Sequence, residues 1–302
     1  MPNTLCHIAI QAPLSRSLIS PVELIWVVVG CLLPDLPWIA LKLLLATGIF
    51  DPYDLRLYFT AQASLFFVLV LAGGLAMWAR KTWKVFLIIG ANVSLHLLLD
   101  AVQIKWGNGV HFFAPFDWEM FHLDLFWPEH LLTVALTIFG LFYLVLMWRP
   151  ITQPSNYEKG VLYLPNAHKL LAGALLFFIY FAAPFTFLGA MEETDTYYIK
   201  TMRHVSERPG KTIEFDRAHY FAENQQIRIY SGEQLQIVGP QPKQSGRVSF
   251  KGTFINTKTL LSDRYHYHQD FRDVASALGV FLSCTLLLQS FILAKIKNRQ
   301  PL

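Results

Sequence analysis

Two residues in an apolar stretch of this 302-residue chain are spaced for metal chemistry. His96 and Asp100 stand four positions apart in LIIGANVSLHLLLDAVQ, so a helix would present an imidazole and a carboxylate on one face. Asn92 and Gln103 extend the same polar stripe. Zinc accepts this pair of ligand types. The alternative is a hydrogen-bonded polar pair that joins two helices.

Two further candidate ligands, Asp35 and His7, lie in other apolar segments. Asp35 follows the helix-breaking Pro34 in GCLLPDLPW, where freed backbone groups could line a cavity. It could instead be an N-cap for the segment after the break. His7 stands alone in TLCHIAI, a setting that also suits a core or interfacial histidine. An aspartate at the centre of a membrane helix costs about 2.5–3.5 kcal/mol, whereas an interhelical hydrogen bond contributes about 0.6 kcal/mol. Two such acids therefore favour a metal or proton traffic over polar packing.

The composition indicates a membrane protein. Hydrophobic residues make up 54% of the chain and charged residues only 15%, against about 25% charged in soluble domains. This excludes a disordered chain. A net charge of +4 gives no argument for nucleic-acid binding. The three cysteines lie far apart and indicate neither a disulfide framework nor a metal-binding C-x-x-C motif.

Six apolar segments approach the length of a membrane span: residues 22–45, 61–79, 85–104, 131–148, 169–190 and 274–294. Residues 4–14 are too short to cross and predict an interfacial or re-entrant helix. Lysine and arginine cluster after the second, fourth and sixth segments, which predicts that these ends are cytoplasmic. The C-terminus would then be cytoplasmic, and the loop before the fourth span would lie on the opposite side.

Residues 191–273 have a different pattern. KTIEFD, QIRIYS and QLQIVG alternate apolar and polar residues, and glycine and proline separate them. This predicts a small β sandwich or barrel outside the cytoplasm, with an OB-like barrel as one form. The predicted fold class is thus an α-helical integral membrane protein with a small all-β insert. Its parts are a helical domain (1–190), the β domain (191–273), and a final span with a cytoplasmic tail (274–302).

The segments MPNTLCHIAI, LLPD and HLLLD followed by GNGVHFFAPF resemble the YdjM-like family of membrane-bound metal-dependent hydrolases, which is distantly akin to zinc-dependent phospholipase C. The resemblance covers about residues 1–150. Pro37 and Trp38 stand where the family has a second acid and a histidine, which favours one cation over two. The resemblance implies that the metal ligands are His7, Asp35, His96 and Asp100.

Glu129 and His111 are the candidate catalytic residues. Glu129 opens the fourth span and could act as a general base that takes a proton from a metal-bound water. His111 lies in the predicted non-cytoplasmic loop that comes directly after the polar stripe. The alternatives are that His111 is an exposed loop residue and that Glu129 is an acid at the start of a helix. His266 and His268 in RYHYH are a weaker metal pair, because a third ligand is missing.

These features predict a metal-dependent hydrolase in a membrane, the bacterial inner membrane, with its site at the non-cytoplasmic face. A divalent cation, zinc by its ligand types, would act on an ester or phosphoester of a small molecule or a lipid from the surrounding bilayer. One alternative is an ion-coupled transporter whose acids relay protons, although the sequence contains none of the inverted repeats typical of many carriers. Another is a non-enzymatic membrane scaffold that presents the β domain.

Overall fold

The computed structural model describes residues 3–19, 23–152 and 165–297. These residues form a helical bundle and a β-barrel that is inserted before the last helix. Within the described ranges the α-helices are α1 (Thr4–Arg16), α2 (Leu24–Leu32), α3 (Leu36–Leu45), α4 (Pro52–Gln62), α5 (Leu65–Ala76), α6 (Thr82–Ala101), α7 (Leu131–Thr152), α8 (Ala167–Ala182), α9 (Leu188–Glu193), α10 (Ile199–Arg203) and α11 (Phe271–Lys297).

Several of these helices are long and apolar enough to cross a membrane. In the described part of the chain there are five such stretches, Leu24–Leu45, Thr82–Ala101, Leu131–Thr152, Ala167–Glu193 and Phe271–Leu293. Helices α4 and α5 meet at 63° and would together count as a sixth. The predicted second span is therefore bent. The first stretch passes through a 3-10 turn at Leu33–Asp35, because Pro34 interrupts the regular helix between α2 and α3.

Helix α1 lies inside the bundle rather than on its surface. It packs against α2, α6, α7 and α11, and His7, Ile8 and Gln11 are buried. At Gly140 of α7, a side chain would collide with the backbone of Leu5, so this glycine allows the two helices to approach closely. Helix α1 is therefore buried by the other helices, and its predicted relation to a membrane, interfacial or re-entrant, stays a prediction.

The β domain is a closed five-stranded barrel, so the sandwich alternative is wrong. Its strands are β1 (Thr212–Phe221), β2 (Gln226–Arg228), β3 (Gln234–Val238), β4 (Gly246–Phe254) and β5 (Thr259–His268). They pair in the order β1-β2-β3-β5-β4, and β3 and β5 are parallel. The predicted alternation holds because inward-facing residues such as Ile237, Val248 and Phe250 form the barrel core.

The loop between α6 and α7 connects the bundle to the barrel. The Gly107 amide donates to Glu214 Oε2 at 2.8 Å, and Asn108 Nδ2 donates to Asp216 Oδ2 at 2.9 Å. Gly107 has a φ of 65°, and a side chain there would collide with the Glu214 backbone. Glycine therefore suits both the turn and the close approach.

Candidate metal centre

Three predicted ligands, His7, His96 and Asp100, converge inside the bundle. His7 comes from α1, and the other two lie one turn apart on α6. His7 Nε2 lies 3.4 Å from Asp100 Oδ1, and His96 Nε2 lies 3.8 Å from Asp100 Oδ2. One ligand atom from each residue lies within 4.8 Å of the other two. The two imidazoles stack with centroids 3.6 Å apart, so both rings face the same small volume.

Asp35 completes the group from a third segment. It ends the 3-10 turn between α2 and α3, and its Oδ1 lies 3.7 Å from His96 Nε2. The turn at Pro34 directs this carboxylate inward, and its residue is only 7% exposed. The structure thus brings together all four residues that the sequence predicts as ligands.

The spacing of these four residues fits a cation better than a hydrogen-bonded network. Nitrogen–oxygen hydrogen bonds are about 2.7–3.2 Å long, whereas two ligands of a tetrahedral zinc ion at about 2.0–2.1 Å lie about 3.3 Å apart. Five buried atoms of these four residues lack a hydrogen-bond partner in the described structure: His7 Nε2, both ring nitrogens of His96, Asp35 Oδ1 and Asp100 Oδ1. Since buried polar atoms are normally paired, this donor set suits a divalent ion.

Further polar groups surround the four residues. Gln11 Nε2 lies 3.5 Å from His7 Nδ1, and Cys31 Sγ donates to Gln11 Oε1 at 2.9 Å. A half-turn of the Gln11 amide would let its oxygen accept a hydrogen bond from Nδ1–H, the support that metal-bound histidines usually have. Lys105 Nζ lies 3.6 Å from Asp100 Oδ1. Gln11 was not among the residues predicted from the sequence, although its spacing of four from His7 is the helical signal that would have found it.

The centre lies at one side of a cavity between the bundle and the barrel. The cavity has a volume of about 960 Å³, and Asp35, Asp100 and His111 line it. Ligand sites usually measure about 300–1,000 Å³. We call this cavity the cleft. Among the described residues that line the cleft, lysine and arginine outnumber aspartate and glutamate, so their formal charges sum to a positive value.

His111, a predicted catalytic residue, belongs to this cleft. Its ring packs against Trp118 and Tyr197, with centroids 5.9 and 5.7 Å away. Burial lowers the pKa of His111 to about 4, although the backbone at Trp118 opposes the shift. The imidazole is therefore neutral at pH 7 and a weaker base than an exposed histidine.

Glu129, the other predicted catalytic residue, lies in a different cluster. Its Oε1 is 2.8 Å from His268 Nδ1, and its Oε2 is 3.3 Å from His266 Nε2. Burial alone would raise the pKa of Glu129, but hydrogen bonds from the two histidines hold this pKa well below its usual range. His266 also stacks on Trp127, with centroids 3.7 Å apart. Because Glu129 is hydrogen-bonded to the barrel and does not line the cleft, the structure does not bring it to the metal ligands.

A chain of hydrogen bonds continues from this cluster to the cleft. His268 Nε2 lies 2.8 Å from Ser249 Oγ, which in turn lies 3.2 Å from Asp216 Oδ1. Asp216 lines the cleft. Ser249 and Asp216 were not predicted from the sequence, because the four hydrogen-bonded residues come from four separate segments. Glu129 lies just before α7, and the other three lie on three different strands. We call Glu129, His268, Ser249 and Asp216 the polar chain.

Comparison with protein-family models, curated proteins and solved structures found no match to this chain. The resemblance to YdjM-like hydrolases therefore stays a prediction.

Proposed function

We propose that this protein is an integral membrane metal-dependent hydrolase that acts on an ester or phosphoester in the cleft. The observation that carries the proposal is the convergence of four buried donor atoms without hydrogen-bond partners in the described structure. They come from α1, the turn before α3, and α6. The ligand types favour zinc, and His7, His96, Asp100 and Asp35 would hold the ion.

The residues around the centre have complementary tasks. A divalent cation bound there supplies Lewis-acid polarisation of the substrate oxygen. His111, neutral and on the cleft wall, would accept a hydrogen bond from the attacking water and orient it. Lys105 and Arg56 line the cleft and stabilise the negative charge that develops on the substrate.

We further propose that the long apolar helices lie in the bacterial inner membrane with the barrel outside the cytoplasm. The distribution of lysine and arginine in the loops supports this orientation. The strand order and the parallel β3–β5 pair support an OB-like barrel.

The proposal is tested by removing one ligand. Asp100→Asn keeps the size of the side chain but removes the negative charge that would hold the cation. We expect bound metal, measured by elemental analysis of detergent-purified protein, to fall to background. Hydrolysis of p-nitrophenyl esters and phosphoesters should fall at least about a hundredfold.

The matched control is Asp124→Asn, because Asp124 is an exposed acid that pairs with His122. This variant should keep both metal and activity. Wild-type protein that binds no ion after incubation with zinc, or an unaltered Asp100→Asn variant, would contradict the proposal.

A further inference from the structure

One wall of the cleft is mostly apolar and belongs to the helical bundle, although Lys42 of α3 also lines it. Trp38, Ile39 and Leu45 contribute from α3, and Val280 and Phe281 contribute from α11. On each helix these positions fall on one face. The side chain of Phe281 is at the outer edge, with the residue 66% exposed. The wall therefore continues from the cleft to the outside of the bundle between α3 and α11. We call it the α3–α11 wall.

The cleft also contains four arginines from α4 and the barrel, and one of them, Arg56, lies next to the α3–α11 wall, with its guanidinium 5.8 Å from the Trp38 ring centre. Arg217 is paired with Asp273 at 2.9 Å, whereas Arg56, Arg228 and Arg247 form no ion pair with a carboxylate of the described residues. The Arg56 guanidinium lies 4.4 Å from the Tyr197 ring centre, and its Nε has no hydrogen-bond partner in the described structure.

Arg228 and Arg247 act on the same small region of the barrel. Burial lowers the pKa of His219, and the charges of Arg247 and Arg228 lower it further. All three residues line the cleft. Guanidinium groups present a planar fork that matches phosphate oxygens, so the part of the cleft lined by Arg228 and Arg247 is suited to an oxyanion.

We propose that the cleft binds an amphiphile whose head is a phosphate-type oxyanion. Arg56, Arg228 and Arg247 bind the head, and the alkyl chain lies along the α3–α11 wall. The inference rests on the proposed function in one respect, since it takes this amphiphile to be the hydrolase substrate. It assigns the barrel a role in recognition of the head.

Only an anionic amphiphile fits both the arginines of the cleft and the α3–α11 wall. A soluble phosphate compound would pair with the arginines but leave the apolar wall exposed to water. A neutral lipid would cover the wall but leave the guanidinium groups without an anion. An anionic amphiphile satisfies both surfaces at once, and its chain can enter between α3 and α11 without leaving an apolar environment.

The test measures binding of dodecyl phosphate to the full-length protein in nanodiscs of neutral lipid. The probe carries a photoreactive group at the chain end, and labelled peptides are identified by mass spectrometry. We expect labels on α3 and α11. Competition by unlabelled dodecyl phosphate should need at least tenfold less ligand than competition by inorganic phosphate or by dodecyl glucoside, which carry the head or the chain alone.

Two pairs of variants separate the head from the chain. Arg228→Gln with Arg247→Gln should weaken dodecyl phosphate binding at least tenfold, about 1.4 kcal/mol, whereas Arg264→Gln, an exposed barrel residue outside the cleft, should not. Ala277→Trp lies on the cleft face of α11 and should weaken the long-chain ligand but not inorganic phosphate. Leu278→Trp, on the next position of the same helix, is its control.

The outcomes distinguish this inference from the proposed function. Equal competition by dodecyl glucoside, or no effect of the double arginine change, would overturn the anion site. Equal competition by inorganic phosphate, or no effect of Ala277→Trp, would overturn the chain site. Binding is also measured in Asp100→Asn, where it should persist. Intact binding without any hydrolysis in the wild type would contradict only the hydrolase proposal.

Discussion

At the scale of single residues, the candidate centre consists of buried polar groups, and such groups are unfavourable without an interaction partner. His7 and His96 are fully buried and Asp100 nearly so. An isolated charge in such a place is strongly unfavourable, and paired charges recover the cost only with good geometry. A bound cation would offset this cost for both carboxylates together and would accept the lone pairs of the imidazole nitrogens.

His111 allows a pH prediction at this scale. Its pKa is about 4 when folded and about 6.5 when exposed, so the unfolded chain binds the proton more strongly. The free energy of unfolding should be highest above pH 6.5 and fall between pH 6.5 and pH 4. This residue alone contributes a loss on the order of 3 kcal/mol.

The measurement is thermal unfolding in detergent across this pH range. His111→Asn should flatten the dependence, whereas the exposed His122→Asn should leave it unchanged. A profile that is the same in wild type and His111→Asn would contradict the assigned burial effect.

At the scale of the elements, helix α1 is too short to span a bilayer and is held by contacts with longer helices. Its 13 residues would extend about 20 Å. Asn3 caps its first turn by accepting from the Cys6 amide at 3.0 Å, and Asn3 Nδ2 donates to Thr137 on α7 at 2.7 Å. The placement of His7 therefore depends on the fit between α1 and α7.

Gly140→Ala tests this dependence. The new methyl group would overlap the Leu5 backbone, so α1 must shift, at a cost of about 1–3 kcal/mol in stability. We expect a lower melting temperature together with weaker zinc binding in a competition assay with a fluorescent chelator.

Gly189→Ala is the control, because no described residue outside its own stretch of helix has an atom within 4 Å of the position of the added carbon. This change should leave metal affinity unaltered. Wild-type metal affinity in Gly140→Ala would show that His7 does not need the close α1–α7 contact.

At the scale of the whole molecule, the polar chain holds the barrel against the bundle and forms one side of the cleft. Arg217 strengthens this contact, since its guanidinium pairs with Asp273 of α11 and lies 3.7 Å from Glu129 Oε1. The β-bulge at Arg217 positions its backbone amide to donate to Ser249 Oγ at 3.0 Å. The barrel therefore contacts the bundle that carries the candidate ligands through several side-chain hydrogen bonds and ion pairs.

Glu129→Gln should loosen this arrangement, because an amide is a weaker acceptor than a carboxylate for His268 and His266. We expect a loss of about 1–3 kcal/mol and faster hydrogen exchange in β5 and the segment before α7. Bound metal should stay at the wild-type level. Unchanged exchange with a loss of hydrolysis would instead support the general-base role that the sequence predicts.

The sequence by itself determined the apolar helices, the β insert and the identity of the candidate ligands. These features are local: hydrophobic runs, period-two alternation, and the four-residue spacing of His96 and Asp100. The predicted strands formed because alternation fixes which side chains face the barrel core, and Pro34 broke the first span as its missing amide hydrogen requires.

Only the tertiary structure decided which residues meet. It brought His7 and Asp35 to α6, separated Glu129 from the centre, and joined Ser249 and Asp216 into the polar chain. Such contacts link segments far apart along the chain, and they depend on helix packing and barrel closure. Neither spacing nor composition encodes these distances, because a local pattern specifies the face of an element but not the neighbour that covers it.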